Sequence, residues 1–121
     1  MTVHHELTGN PFTIDANTIT IIWPSMGLEG TVVSRDGDKI NCLESLDEMQ
    51  ALIKAEGLKF AKIQYLEYDW AFCLVNTSQI KCLEAEAKEI TKIQVGFDYD
   101  GEIILDMPLE PVLDLLAAAM K

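Results

Sequence analysis

Two Asp-Gly dipeptides, Asp36-Gly37 and Asp100-Gly101, each stand between stretches of strand-like composition. Asp-Gly in that setting favours a tight hairpin, because both central turn positions need positive φ and glycine adopts it without a Cβ penalty. Thr31 to Arg35 and Lys39 to Leu43 flank the first dipeptide, while Ile93, Val95, Phe97 and Tyr99 alternate before the second and Glu102 to Met107 follow it. The chain is thereby committed to antiparallel pairing at two places.

A helix signature follows each hairpin. Ser45 and Glu48 have the spacing of a capping box, Leu46, Met49, Leu52 and Ile53 recur at helical intervals, and Gly57 supplies a left-handed end. Pro108 and Pro111 fit the first turn of a last helix, where a missing donor costs least, and Leu109, Val112, Leu113, Leu116 and Met120 give it an apolar face. A shift of 64 positions carries Asp36-Gly37-Asp38 onto Asp100-Gly101-Glu102 and Met49 onto Leu113. Hairpins and Leu-rich helices are common enough to explain this echo; a true duplication predicts two similar halves sharing one sheet.

Thr18 to Trp23 is a β-branched strand that Pro24 ends. Phe60 to Val75 divides near Glu67 to Asp69 into two strands, the second apolar enough to be buried on both faces. Ile80, Leu83, Ala87 and Ile90 repeat at three and four, which predicts a short helix, with a strand over Gln79 to Leu83 as the alternative. Residues 1–17 lack periodicity and read as an arm or loop. The expected fold is a single α+β domain over residues 1–121: a mainly antiparallel, twisted sheet of about six or seven strands, with two or three helices packed on one face.

With 49% apolar residues among 121, the chain has enough material for a core without a staple. Cys42, Cys73 and Cys82 lie in apolar stretches and lack paired metal-ligand spacing, so each reads as a small buried hydrophobe in a reducing compartment. No apolar run approaches the roughly twenty residues that span a bilayer, and no signal-peptide pattern opens the chain, so a cytoplasmic protein is expected. The net charge of −11 opposes contact with phosphates, which argues against nucleic acid and anionic lipid as partners.

Charge is also uneven. Residues 93–120 carry six acids and no base. Asp106, Glu110 and Asp114 recur every four residues, and Asp98, Asp100 and Glu102 surround the second turn. These six are the candidate partner-binding residues. Their spacing does not match an EF-hand loop, so no metal is expected there, and no cofactor motif occurs elsewhere. For acid-base chemistry the best placed are Glu67 and Asp69 beside Tyr65, Tyr68 and Trp70, where aromatic neighbours raise a carboxyl pKa by desolvation. No nucleophile has a histidine base nearby, since His4 and His5 lie in the N-terminal segment.

The sequence therefore points to a non-catalytic acidic module that masks a basic protein partner, in the manner of an inhibitor or immunity protein. Its rival is a small-molecule-binding or enzymatic domain with a pocket between sheet and helices, lined by Tyr65, Glu67, Tyr68, Asp69 and Trp70 together with Phe97. Self-association into a homodimer through an edge strand or the apolar loop around Trp23, Met26 and Leu28 is a third expectation.

Overall fold

The computed structural model describes residues 1–25, 30–64, 72–97 and 101–121. Among them run ten strands and two α-helices: β1 (Thr2–His4), β2 (Pro11–Thr13), β3 (Ile19–Pro24), β4 (Thr31–Arg35), β5 (Asp38–Cys42), α1 (Leu46–Ala55), β6 (Phe60–Gln64), β7 (Phe72–Asn76), β8 (Ile80–Ala87), β9 (Ile90–Val95), β10 (Glu102–Leu105) and α2 (Leu109–Ala119). The fold is α+β and every strand pair is antiparallel. The strands form three sheets rather than the one expected: β1-β2, β5-β4-β3-β7-β6 and β10-β9-β8.

The five-stranded sheet is the middle layer. Its run ITIIW is apolar at nearly every position because both faces of β3 are covered. A register shift between Ile19 and Ile21 leaves Ile19 and Ile22 facing one core and Ile21 the other. On the first side, Val3, Ile14, Met49 and Ile53 close over Ile22, Val33 and Leu74, so that β1-β2 and α1 form one outer layer. On the second, Ile93, Val95, Ile103, Leu105, Val112 and Leu116 close over Ile21, Ile63, Cys73 and Val75, so that β8-β9-β10 and α2 form the other. The two helices thus lie on opposite faces, not on one. Helix α1 meets β3 and β7, and α2 meets β6 together with β8 and β9.

The first hairpin forms with Arg35 opposite Asp38, but only Gly37 has positive φ (91°), so the turn does not need it at both central residues. The second forms as β9 and β10, with Gln94 opposite Glu102; Asp98, Tyr99 and Asp100 lie outside the described residues. The two hairpins belong to different sheets, so the single shared sheet that a true duplication would predict does not form. Helix α1 carries the capping box: Ser45 Oγ accepts from Glu48 N–H at 3.1 Å and Glu48 Oε1 accepts from Ser45 N–H at 3.2 Å.

Residues 80–87, read as a short helix with a strand over Gln79 to Leu83 as the alternative, are strand β8, so the alternative holds and the strand runs further than it proposed. Its register shifts between Ile80 and Cys82 and again between Ala85 and Ala87. A bulge adds one residue to the two-residue period, so Ile80 and Leu83 both reach the core at a helix-like spacing of three. Residues 1–17, expected as an arm, contain β1 and β2 with Val3 fully buried. They are tied to the end of β5 by Glu6 N–H to Asn41 C=O at 3.0 Å and Leu43 N–H to His4 C=O at 2.9 Å. Cys42 and Cys73 are buried as expected, whereas Cys82 is exposed on β8. No helix among the described residues is long and apolar enough to cross a membrane.

Candidate functional site

The acidic residues of the last hairpin and helix are not one surface free of positive charge. Lys92, on β9, lies between β8 and β10, and its Nζ is 3.0 Å from Glu86, 3.3 Å from Glu84 and 3.5 Å from Glu102. The hydrogen bonds that its ammonium donates to Glu86 and then Glu84 hold it above the ordinary lysine pKa. Glu102 is thus paired with a lysine from the neighbouring strand. Asp106, Glu110 and Asp114 are exposed on and before α2, where acids near a helix N-terminus are favoured by its dipole. Asp98 and Asp100 lie outside the described residues, as do Tyr65, Glu67, Tyr68, Asp69 and Trp70 of the alternative pocket and Met26 and Leu28 of the apolar loop. Trp23 packs on the core and donates its ring N–H to Ser34 Oγ at 3.2 Å.

Chemistry-bearing side chains do gather where four chain connections meet, at the end of the molecule that holds the β4-β5 turn. A short 3-10 turn at Ala16–Thr18 precedes β3, and another at Thr77–Gln79 joins β7 to β8. Buried Asn76 fastens them together: its Nδ2 donates to Ile19 C=O at 2.8 Å, and its Oδ1 accepts from Ser78 N–H at 3.1 Å. Gln79 Nε2 donates to Asn17 C=O at 2.9 Å. The connection after β9 then joins the group, because Gly96 N–H donates to Gln79 C=O at 2.7 Å and Phe97 N–H donates to Asp36 Oδ1 at 2.9 Å.

Gly96 permits this closure for two reasons. Its φ is +68°, and an added Cβ would stand 2.5 Å from Asp36 Oδ1 and 2.7 Å from Thr20 Cγ2. The backbone of Gly96 and Phe97 is therefore held by two hydrogen bonds while Phe97 is 82% exposed. Lys81 Nζ lies over that ring, 4.6 Å from the centroid. Beside them is a polar cleft of about 480 Å³ lined by Thr18, Arg35, Asp36, Asp38 and Gln79. Arg35 is clasped by Asp38 through two hydrogen bonds of 3.0 and 2.6 Å. An exposed ring under a cation, next to a cleft with donors and acceptors, is suited to a planar, polar ligand.

Of this constellation the sequence singled out Phe97 alone, and it did so for a pocket with Tyr65 and Trp70. Lys81 and Gln79 sit in the segment expected as a helix, and Asp36 is legible only as a turn residue. The one available signal was that Phe97 follows Gly96, whose place in an alternating strand pattern marks a break.

No protein-family model matches the chain, and no curated protein matches it. Among solved structures, the fold is similar to that of the LytTr DNA-binding domain of a putative methyl-accepting/DNA response regulator from Bacillus cereus. The TM-score is 0.61 at 13% identity, over 97% of this chain and 94% of that one. The shared fold overturns the expectation of an acidic module that masks a basic protein, and with it the exclusion of nucleic acid drawn from net charge. Net charge is a sum over the whole surface, whereas a ligand meets one part of it. The pocket alternative gains no support either, and what the comparison establishes is the fold itself.

Proposed function

We propose that the chain is a single DNA-binding domain. The observation that carries this reading is the similarity in fold, over nearly the whole of both chains, to a domain named for binding DNA. The end of the molecule around Arg35, Gln79, Lys81 and Phe97 supports it, since cations, amide groups and an exposed ring are what phosphates and bases engage.

The charge of −11 sets how such a domain must work. Long-range repulsion of phosphate opposes approach, so contact is confined to a small area where lysine and arginine balance the acids. Salt then acts in two directions, screening the general repulsion while weakening the few direct phosphate contacts. Binding is therefore weak, with a much shallower salt dependence than that of a basic DNA-binding protein.

In vitro selection from randomised duplex and single-stranded DNA pools, followed by fluorescence anisotropy on the enriched oligonucleotides, tests the proposal. Enriched DNA that binds saturably, with affinity changing little across the salt range, is the expected result. Failure to enrich either pool above a protein-free control removes it.

A further inference from the structure

Resting on the DNA-binding reading, we infer that Phe97 is a stacking platform for an unpaired base, so that the preferred ligand is single-stranded DNA. Three observations converge on this ring. It is 82% exposed although the backbone that carries it is held by hydrogen bonds from Gly96 to Gln79 and from Phe97 to Asp36. Packing does not require a phenyl group there. These bonds place the backbone that carries the ring before any ligand arrives, which reduces the entropy lost on binding.

Lys81 stands over the ring, so one side is held by a cation that also attracts a phosphate adjoining the stacked base. The polar cleft lined by Thr18, Arg35, Asp36, Asp38 and Gln79 lies beside it and offers donors and acceptors to the edge of a splayed base, with Asp38 already holding Arg35. A base inside a duplex shows only its edge, and its face is reached only after unpairing.

Electrostatics favours the same choice. A single strand has a lower charge density than a duplex, so a chain carrying −11 is repelled less by it. Stacking adds affinity that does not depend on a basic surface. The arrangement of Lys62 over Phe72, 5.1 Å from the ring centroid, serves as an internal comparison. Phe72 belongs to β7 and is only 39% exposed, so its ring offers much less face to a ligand.

The test is anisotropy on the full chain with a labelled mixed-sequence single strand and the matching duplex, for the wild type, Phe97→Leu, Phe97→Trp and Phe72→Leu. The single strand should bind more tightly than the duplex. Phe97→Leu, which keeps an apolar side chain but removes the plane, should weaken single-strand binding about tenfold. Phe97→Trp should retain the affinity and have its fluorescence quenched by the stacked base, and Phe72→Leu should bind as the wild type does. If Phe97→Leu binds the single strand like the wild type, or if the duplex binds more tightly, the stacking inference fails while the DNA-binding reading stands. If neither probe binds, the stacking inference fails, and the enrichment from randomised pools decides the DNA-binding reading.

Discussion

Asp36 Oδ1 accepts the backbone N–H of Phe97 at 2.9 Å, joining a turn of the central sheet to the loop of an outer one across 61 positions of sequence. The bond is exposed, but it fixes a segment that presents an aromatic ring to solvent. Asp36→Ala should lower stability by about 1 kcal/mol. It should also speed hydrogen exchange at the Phe97 amide far more than at amides of β4. Unchanged exchange at Phe97 would show that Gly96 alone holds the loop.

Gly96→Ala acts on the same closure from the other side. Positive φ and the approach of Asp36 and Thr20 both oppose a Cβ at this position. A loss of about 1–3 kcal/mol is expected in chemical denaturation. Gly9, also at positive φ but with open space around it, should tolerate alanine better. Equal losses at the two sites would remove the steric part of the argument.

Ser45→Ala should cost about 1 kcal/mol by removing the N-cap acceptor of α1. Glu48→Gln should cost less, because its amide oxygen still accepts from Ser45 N–H. Thermal or urea unfolding of the two variants gives the order directly.

Glu44 ties the N-terminal strand to the segment before α1. Burial alone would raise its pKa, but hydrogen bonds from the backbone and ring of His4 together outweigh that and hold it below the ordinary 4.5. A carboxyl depressed by folding stabilises the folded state above its unfolded pKa, and that contribution is lost as pH falls through the folded value. The advantage of the wild type over Glu44→Gln should therefore be full at neutral pH and shrink below about pH 4.5. A difference that does not change with pH in acid would show that the pair contributes only packing.

Burial pushes the thiol of Cys73 up to about 12 and, with help from Glu44 and Glu6, that of Cys42 up to about 11. Neither offers a thiolate near neutral pH, and both are enclosed. A thiol reagent should modify Cys82 alone in the folded chain and all three cysteines after unfolding. Mass spectrometry of the labelled peptides decides it.

Local signals were legible where one element carried its own instructions. Helix α1 could be read because cap, periodicity and terminating glycine all lie within the segment. The strand with both faces buried, β7, could be read because its apolar run leaves no polar face. By contrast, β8 imitates a helix because two bulges change its period, and β1 and β2 imitate a loop because each has three residues around Gly9 and Pro11. The division into three sheets and the placing of α1 and α2 on opposite faces are decided by which apolar stripes meet, which no single segment records. The site was hidden for the same reason, since Asp36, Gln79, Lys81 and Phe97 become neighbours only after the outer sheet has docked.

The pairing of β3 with β7 sets Ile22 opposite Leu74, so the middle of the molecule is a seam between distant parts of the chain. Hairpins β4-β5 and β8-β9 can zip from their own turns, whereas this seam has to wait until a long intervening stretch has been gathered in. Assembly of the domain is consequently paced at its centre rather than its rim, and side chains such as Ile21 and Leu74 are the ones whose truncation should slow refolding most.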